Sequence, residues 1–233
     1  MSGSERSADS ALRRRRGVTG VTAAAGMSLL GASLAAPPGS SRFYRQTLGV
    51  AGIWTGGALA SGPVHLGITT GTTTDSAATD SAATRPRRPV LVPVLLGVGA
   101  FAVFYLGARV AKHIPLLNRA IASILGFAQH GSPGKILFTT LANGAAEEVF
   151  FRGAVYDAVG GRHPVAVSTA LYSLSTVVTR NPSLVLASAI VGTLFGLQRQ
   201  ASGGVLAPML THVVWSALML RFLPPLFPTP DPD

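Results

Sequence analysis

The stretch VLVPVLLGVGAFAVFYLGARVA, residues 90–111, decides the fold class of this chain. It carries no charge before Arg109, close to its end. An α-helix needs about 20 such residues to cross the hydrocarbon core of a bilayer, because each residue advances the helix by about 1.5 Å. A backbone in lipid must satisfy its own hydrogen bonds, so this run predicts a transmembrane helix.

The composition extends this prediction to the whole chain. Of its 233 residues, 48% are hydrophobic and 12% are charged. That charged share is about half of what a soluble globular domain carries. We therefore predict an all-α fold, a polytopic transmembrane bundle of about seven or eight helices.

The chain divides into segments of different composition. Apolar runs cover residues 17–36 and 48–68, and a polar stretch with the tandem repeat DSAAT-DSAAT follows them. Such a repeat is too polar to pack, so we predict no regular structure for it. The predicted order is a basic N-terminus at 1–16, two transmembrane helices in 17–68, a low-complexity linker at 69–89, a membrane domain at 90–224 and a Pro-rich tail at 225–233.

Four consecutive arginines at 13–16 predict the orientation. Positive residues beside a span stay on the cytoplasmic side, which places the N-terminus in the cytoplasm. The run after them also has features of a signal peptide, but its length and the span that follows favour a retained helix. The polar residues 1–12 are predicted to be without structure.

The remaining apolar stretches predict the rest of the bundle. Residues 114–129 are shorter and hold Arg119, so they predict either an interfacial or half-buried helix or a full span. Ser188, Gly192 and Gly196 recur every four residues and predict a face for close helix packing. Four further helices, separated by short turns, are predicted at 135–158, 164–180, 183–200 and 204–224.

The net charge of +10 does not indicate nucleic-acid binding. The lysines and arginines flank the apolar runs, as in membrane proteins, and form no basic face with interleaved aromatic residues. The chain has no cysteine, which excludes disulfides, a thiolate nucleophile and a cysteine-based zinc site. We therefore expect the lipid bilayer as a partner and no nucleic acid.

The segment NGAAEEVFFRGAVYDA, residues 143–158, holds three of the nine acidic residues, Glu147, Glu148 and Asp157. On a helix, Glu148 and Arg152 lie four residues apart and are predicted to pair. Glu147 is left without a local partner, and a poorly hydrated carboxyl group suits a general base. Capping or packing of helices is the alternative role for both glutamates. Asp157 is predicted to be an interfacial or capping residue.

A second candidate lies in THVVWSALML, residues 211–220. His212 and Ser216 are one helical turn apart and share a face. A lone histidine in a membrane helix often serves only to hydrogen-bond a neighbouring helix. Together with the glutamate pair, His212 becomes a candidate catalytic or metal-binding residue.

These two segments resemble motifs of the CPBP family, which includes type II CAAX prenyl endopeptidases and bacteriocin-processing or Abi-like membrane proteases. EEVFFRG is similar to the first family motif, EExxxR. THVVWS is similar to the last motif, a histidine followed four residues on by asparagine or aspartate. The resemblance covers about residues 90–224, and each motif lies in its own late helix.

The resemblance implies hydrolysis of a peptide bond in or near the bilayer, without a covalent intermediate. By position, Glu147 would activate the attacking water, and Glu148 with Arg152 would support the site electrostatically. His212 would either bind a divalent, zinc-like metal ion, with Glu147 as a further ligand, or stabilise the oxyanion. The implied partner is a hydrophobic peptide or membrane-protein substrate, and no organic cofactor is implied.

Two positions depart from the family pattern. The second motif places a histidine four residues after an aromatic one, but Tyr172 is followed by Thr176. Ser216 stands where the last motif has asparagine or aspartate. Threonine is a poor ligand for divalent metals. Glutamate-driven hydrolysis, a substitute ligand and loss of activity therefore all remain open, with Thr176 and Ser216 as site-lining residues.

Two other functions compete with proteolysis. One is a catalytically inactive membrane scaffold or immunity-like protein of the same fold, which binds a hydrophobic peptide. The other is a small transporter with Glu147, Glu148 and His212 as an ion relay, but the sequence shows no repeat of spans. The abundance of alanine, glycine and arginine suggests a bacterial genome of high GC content, and hence a bacterial plasma membrane.

Overall fold

The computed structural model describes residues 3–67, 90–161 and 163–228, and all regular structure in these ranges is helical. The predicted all-α fold is thereby confirmed. The predicted linker at 69–89 and residues 229–233 of the tail lie outside the described residues. The helices are α1 (Gly3–Leu34), α2 (Ser41–Ser61), α3 (Leu91–Ala111), α4 (Pro115–His130), α5 (Pro133–Glu147), α6 (Tyr156–Val159), α7 (Pro164–Val177), α8 (Pro182–Ser202) and α9 (Leu206–Phe222).

A π-helical segment, Glu148–Val155, joins α5 to α6 without a break. In it the N–H of Tyr156 reaches the carbonyl of Phe151, five residues back, instead of the usual four. The sequence predicted an ordinary α-helix here. We call α5, the π-helical segment and α6 together the central rod. With the rod counted once, the described residues form eight helices and a 3₁₀ turn at Pro224–Leu226, in agreement with the predicted number.

Three helical stretches in the described part of the chain are long and apolar enough to cross a membrane. They are residues 7–34, 91–111 and 182–202, and α7 and α9 are shorter apolar helices. The second predicted N-terminal span is not among them, because α2 begins at Ser41, earlier than the apolar run, and ends at Ser61. The long apolar helices support the prediction of an integral membrane protein.

The helix α1 begins at Gly3, so the prediction that residues 1–12 lack structure is wrong from that residue onward. A local ion pair contributes to this early start. Arg13 donates to Asp9, four residues before it, at 2.5 Å. Such pairs add a few tenths of a kcal/mol to an exposed helix.

The N-terminal hairpin of α1 and α2 packs on the central rod. Trp54 of α2 is fully buried and lies against Phe150 and Phe151, with ring centroids 4.7 and 5.3 Å away. The indole also lies directly over Gly26 of α1, where a Cβ atom would come within 2.3 Å of it. The hairpin is therefore part of the core of the bundle, since a buried aromatic side chain contributes a large apolar contact area.

The small-residue face of α8 packs against α7, as predicted. A Cβ atom on Gly192 would approach Thr169 to 3.0 Å, and one on Gly196 would approach Val165 to 2.8 Å. The third member, Ser188, hydrogen-bonds across the same interface to Thr176 at 3.0 Å. Glycine at these positions lets the two backbones approach closely enough for α8 to reach the central rod.

The chain that follows α2 lies against the start of α9. The amides of Val205 and Leu206 donate to the carbonyls of His65 and Leu66, at 2.9 and 3.2 Å. The first N–H groups of a helix have no partner within the helix, so these bonds satisfy two of them. Two glycines, Gly67 (φ +77°) and Gly204, let the backbones pass, because a Cβ on Gly204 would fall 2.0 Å from the amide nitrogen of Gly67.

Candidate active site

A buried charged cluster connects the central rod to α9. One carboxylate oxygen of Glu148, Oε1, accepts a bond from Nη1 of Arg152 at 3.2 Å and lies 2.9 Å from Nδ1 of His212. Glu148 and Arg152 are fully buried, and His212 is nearly so. The predicted pairing of Glu148 with Arg152 is present. His212 pairs with Glu148, whereas the sequence associated it with Glu147.

Arg152 is held by the helices around it. Its Nη2 donates to the carbonyl of Gly192 on α8 at 2.9 Å. Its guanidinium lies over the rings of Tyr172 and Phe195, 4.6 and 5.4 Å from their centroids. Contact with aromatic faces compensates part of the hydration that a buried cation loses. The cation is therefore fixed by α7 and α8 as well as by its ion pair.

The carboxylate of Glu147 has two neutral hydrogen-bond donors. Nδ2 of Asn143, one turn earlier, donates to Oε1 at 2.7 Å, and the hydroxyl of Tyr172 on α7 donates to Oε2 at 2.8 Å. The expectation that Glu147 has no local partner is therefore wrong. The spacing of Asn143 could have indicated its bond, but the bond from Tyr172 depends on the packing of α7 against the rod.

Aromatic rings and the backbone of α5 pack against the imidazole of His212. It stacks on Phe195 with centroids 4.8 Å apart and contacts Trp215 at 5.7 Å. The ring lies on Gly144 of α5, where a Cβ atom would come within 3.2 Å of Nε2. With Nδ1 directed at Glu148, the other nitrogen, Nε2, lies beside the backbone of the rod at Gly144. Such a carboxylate–histidine pair orients an imidazole for proton transfer or oxyanion binding.

Thr176 and Ser216, the residues at the divergent motif positions, make their contacts outside this cluster. The hydroxyl of Thr176 bonds to Ser188 of α8 and to the carbonyl of Ser173, at 3.0 and 2.8 Å. Ser216 is buried and lines an apolar cavity of about 440 Å³ between α3, α4, α8 and α9. Trp215 lines the same cavity, so the cavity reaches the ring that contacts His212.

The side chains do not form a ready metal site. Within residues 3–67, 90–161 and 163–228, no group of three or more histidine, cysteine, aspartate or glutamate side chains is arranged to hold an ion. Nδ1 of His212 lies against Glu148, and the hydroxyl of Thr176 bonds to Ser188 where the family motif has a histidine, so Glu147 and Nε2 of His212 are too few ligands. This arrangement does not fit a divalent ion, and we derive no step through one.

A second charged cluster surrounds Asp157 at the end of the rod. Its two oxygens bind Arg15 of α1 at 3.1 Å and Arg199 of α8 at 3.0 Å, and His65 lies 3.4 Å away. Arg199 also donates from Nε to the carbonyl of Arg152 at 2.8 Å. The sequence predicted an interfacial or capping role for Asp157 but gave no sign of these partners, which come from three separate segments.

Comparison with known families shows what the segment that holds this arrangement is similar to. Residues 129–218 match the Rce1-like family of type II CAAX prenyl endopeptidases. The resemblance predicted from the two motifs is therefore confirmed for this segment. The matched segment contains Glu147, Glu148, Arg152 and His212, as well as the divergent positions Thr176 and Ser216.

The Rce1-like segment does not include the whole bundle. The hairpin of α1 and α2, together with α3, lies before its first residue, 129. Comparisons with curated proteins and with solved structures give no match. The N-terminal helices must therefore be interpreted from their own contacts.

Proposed function

We propose that this protein is an intramembrane endopeptidase that hydrolyses a peptide bond with a water molecule activated by glutamate. The observation that carries the proposal is the buried cluster of Glu148, Arg152 and His212, inside the segment that matches the protease family. Glu147 is half-buried beside it, and its partner Tyr172 lies against Arg152. Ionisable groups inside a membrane protein are costly and mark functional sites. The reaction class comes from the family of the segment.

In the proposed reaction, Glu147 is the general base. Each of its oxygens accepts one hydrogen bond from a neutral donor, Asn143 or Tyr172, and has a second lone pair that can accept a proton. Glu147 takes a proton from water as the water oxygen attacks the carbonyl carbon. The carbon–nitrogen bond then breaks, and the same proton passes to the leaving nitrogen.

His212 stabilises the negative charge that develops on the carbonyl oxygen. Its Nδ1 is held by Glu148, so a protonated imidazole can donate from Nε2 to the oxyanion. Arg152 balances the charge of Glu148 and keeps that carboxylate in position. In this scheme Glu148 and Arg152 are positioning residues, and Glu147 and His212 are the catalytic ones.

The apolar cavity beside Trp215 and Ser216 supports a hydrophobic substrate. Its volume, about 440 Å³, lies in the range of small-ligand pockets, and its lining is mostly aliphatic and aromatic. We propose that it receives an apolar side chain of a peptide or membrane protein in the bilayer. Nucleic acid and organic cofactors have no place in the scheme. The divalent ion implied by the resemblance stays a prediction, testable by metal titration of the purified protein.

The proposed location is a bacterial plasma membrane, with the N-terminus in the cytoplasm. Arg15, Arg16 and Arg199 collect at one end of the bundle, through their contacts with Asp157, Ala158 and the end of the rod. Arginines beside the first span favour the cytoplasmic side for the end of the bundle at which they lie. Cysteine labelling from either side of the membrane, at a residue introduced near position 5, tests this orientation.

The central experiment uses the full chain in liposomes with a library of quenched fluorescent apolar peptides. We expect cleavage by the unchanged protein and by Asp9→Asn, whose carboxylate lies on the exposed part of α1. Cleavage is expected to be lost in Glu147→Gln. Equal cleavage by Glu147→Gln and the unchanged protein would overturn the role of Glu147. No cleavage by the unchanged protein would overturn proteolysis itself.

One observation favours an inactive scaffold as the second candidate function. The second-motif position, Thr176, is bonded to Ser188 and so has a structural contact in place of an imidazole at the site. A scaffold would bind apolar peptides in the same cavity without cleaving them. It is recognised by retained binding of a peptide that remains intact, measured on the same liposomes.

A further inference from the structure

A second cleft lies on the outside of the bundle, away from the catalytic cluster. It is bounded by α1, the central rod and α7, and its volume is about 380 Å³. The residues of the rod that line it include Phe151 and Val155. On the α7 side it is lined by Val167, Leu171 and Leu174, which are 40%, 40% and 53% exposed. These exposed side chains make the cleft a surface for an apolar group.

One face of α1 forms the opposite wall. Arg16, Gly20, Ala23 and Met27 line the cleft and follow one another at three- or four-residue intervals, so they lie on one side of the helix. From the first to the last, the helix rises about 16 Å at 1.5 Å per residue. One leaflet contributes about half of the 30 Å hydrocarbon core. The cleft therefore runs from an arginine to a depth of about one leaflet.

Arg16, the arginine at the mouth of this cleft, has hydrogen-bond partners but no ion-pair partner among the described residues. Arg16 donates to the carbonyls of Ala158 and Val159, at 3.0 and 3.4 Å, and these are neutral acceptors. No carboxylate in the described part of the chain is within ion-pair distance of it. Its neighbours Arg13 and Arg15 pair with Asp9 and Asp157. An anionic group beside Arg16 would supply the missing counter-charge.

We propose that this cleft binds one anionic phospholipid, with the phosphate at Arg16 and an acyl chain along Gly20, Ala23 and Met27. The charge at the mouth selects an anionic headgroup, because basic side chains at a membrane surface attract anionic lipids. The apolar walls take the chain. The lipid thereby joins α1, which lies outside the Rce1-like segment, to the rod and α7, which lie within it.

Gly20 allows a substitution that fills the cleft without disturbing the protein. A Cβ atom there meets nothing within 4 Å, and the same holds for Gly17, which does not line the cleft. Gly20→Leu therefore places a side chain where the acyl chain lies, and Gly17→Leu is its matched control. For the charge, Arg16→Gln is matched by Arg14→Gln, because Arg14 also bonds only to a carbonyl, that of Ala60 at 3.5 Å.

The experiment measures lipid retention by native mass spectrometry of the full chain, released from micelles containing phosphatidylglycerol or phosphatidylcholine. We expect one retained phosphatidylglycerol, and about fivefold weaker retention in Arg16→Gln, the factor for one arginine at a lipid surface. Retention is expected to be lost in Gly20→Leu and unchanged in Gly17→Leu and Arg14→Gln. Equal retention of both lipids, or equal losses in Arg14→Gln and Arg16→Gln, would overturn the proposal.

Discussion

Two charged clusters lie on the same central rod, nine residues apart, and they are built differently. The inner cluster consists of Glu148, Arg152 and His212, and its side chains are almost completely buried. The end cluster consists of Asp157, Arg15, Arg199 and His65. The carboxylate of Asp157 is 15% exposed and both of its oxygens are paired, whereas Oε2 of Glu148 is buried and has no partner among the described residues.

This difference distinguishes the inner cluster, a candidate catalytic site, from the end cluster, a structural contact between helices. Burying an ion pair seldom stabilises a protein more than apolar packing of the same volume, because both charges lose their hydration. The inner cluster therefore stabilises the fold no better than apolar side chains would. For this reason we interpret its charges as functional. The end cluster ties α1, α8 and the segment after α2 to the rod, at a place where water can still reach the charges.

The largest effect is expected from Glu147→Gln. Loss of a general base lowers the rate of the chemical step by about 10²–10⁴-fold. The amide has the shape of the carboxylate, so the protein is expected to fold normally. The test compares kcat/KM and thermal unfolding of the purified variant with those of Asp9→Asn. A variant that is inactive because it is unfolded would not support the assignment.

The next largest effect is expected from Arg152→Met, which leaves the buried carboxylate of Glu148 without its cation. Removal of one partner of a buried pair costs about 3–5 kcal/mol of unfolding free energy. The double variant Glu148→Gln with Arg152→Met removes both charges and is expected to recover most of that loss. If the double variant is as unstable as the single one, the destabilisation comes from lost packing around Arg152 and not from the charge.

A smaller effect is expected from Asp157→Asn in the end cluster. It leaves Arg15 and Arg199 side by side without their shared carboxylate. Loss of hydrogen bonds to a charged group is expected to cost about 1–3 kcal/mol. Activity per folded molecule should not change, and hydrogen exchange should increase in α1. A loss of activity in the fully folded variant would show that the role of the end cluster is not only structural.

The smallest effect is expected from Arg13→Ala. Arg13 pairs with Asp9 on the exposed side of α1, and its side chain is 78% exposed. Exposed pairs contribute about 0–1 kcal/mol. Thermal unfolding of this variant should coincide with that of the unchanged protein. A clear destabilisation would show that the start of α1 is held more firmly than its exposure indicates.

The sequence predicted those features that depend on neighbours along the chain. The span at 90–111 follows from an uninterrupted apolar run, and the Glu148–Arg152 pair follows from four-residue spacing. The bond from Tyr172 to Glu147 and the pairing of His212 with Glu148 join separate helices. They depend on how these helices rotate and pack, which one sequence does not specify.

The early start of α1 and the π-helical segment were missed for another reason. Polar residues at 3–12 read as unstructured because they cannot form a core, yet helix formation needs only local bonds once α1 is anchored further along. The π-helical segment contains the buried Phe150 and Phe151, and no spacing in the sequence encodes the change from α to π geometry.

The contact between Gly67 and Gly204 has a consequence for how such a protein can evolve. The carbonyls of His65 and Leu66 satisfy amides at the start of α9, and Val205 is fully buried there. Loss of the N-terminal hairpin together with the segment after it would leave those amides without these acceptors, at about 1–3 kcal/mol each. A chain of this fold therefore depends on its N-terminal part, although in the described structure α1 and α2 contribute no side chain to the inner cluster. The unit that folds together is longer than the segment that matches the Rce1-like family.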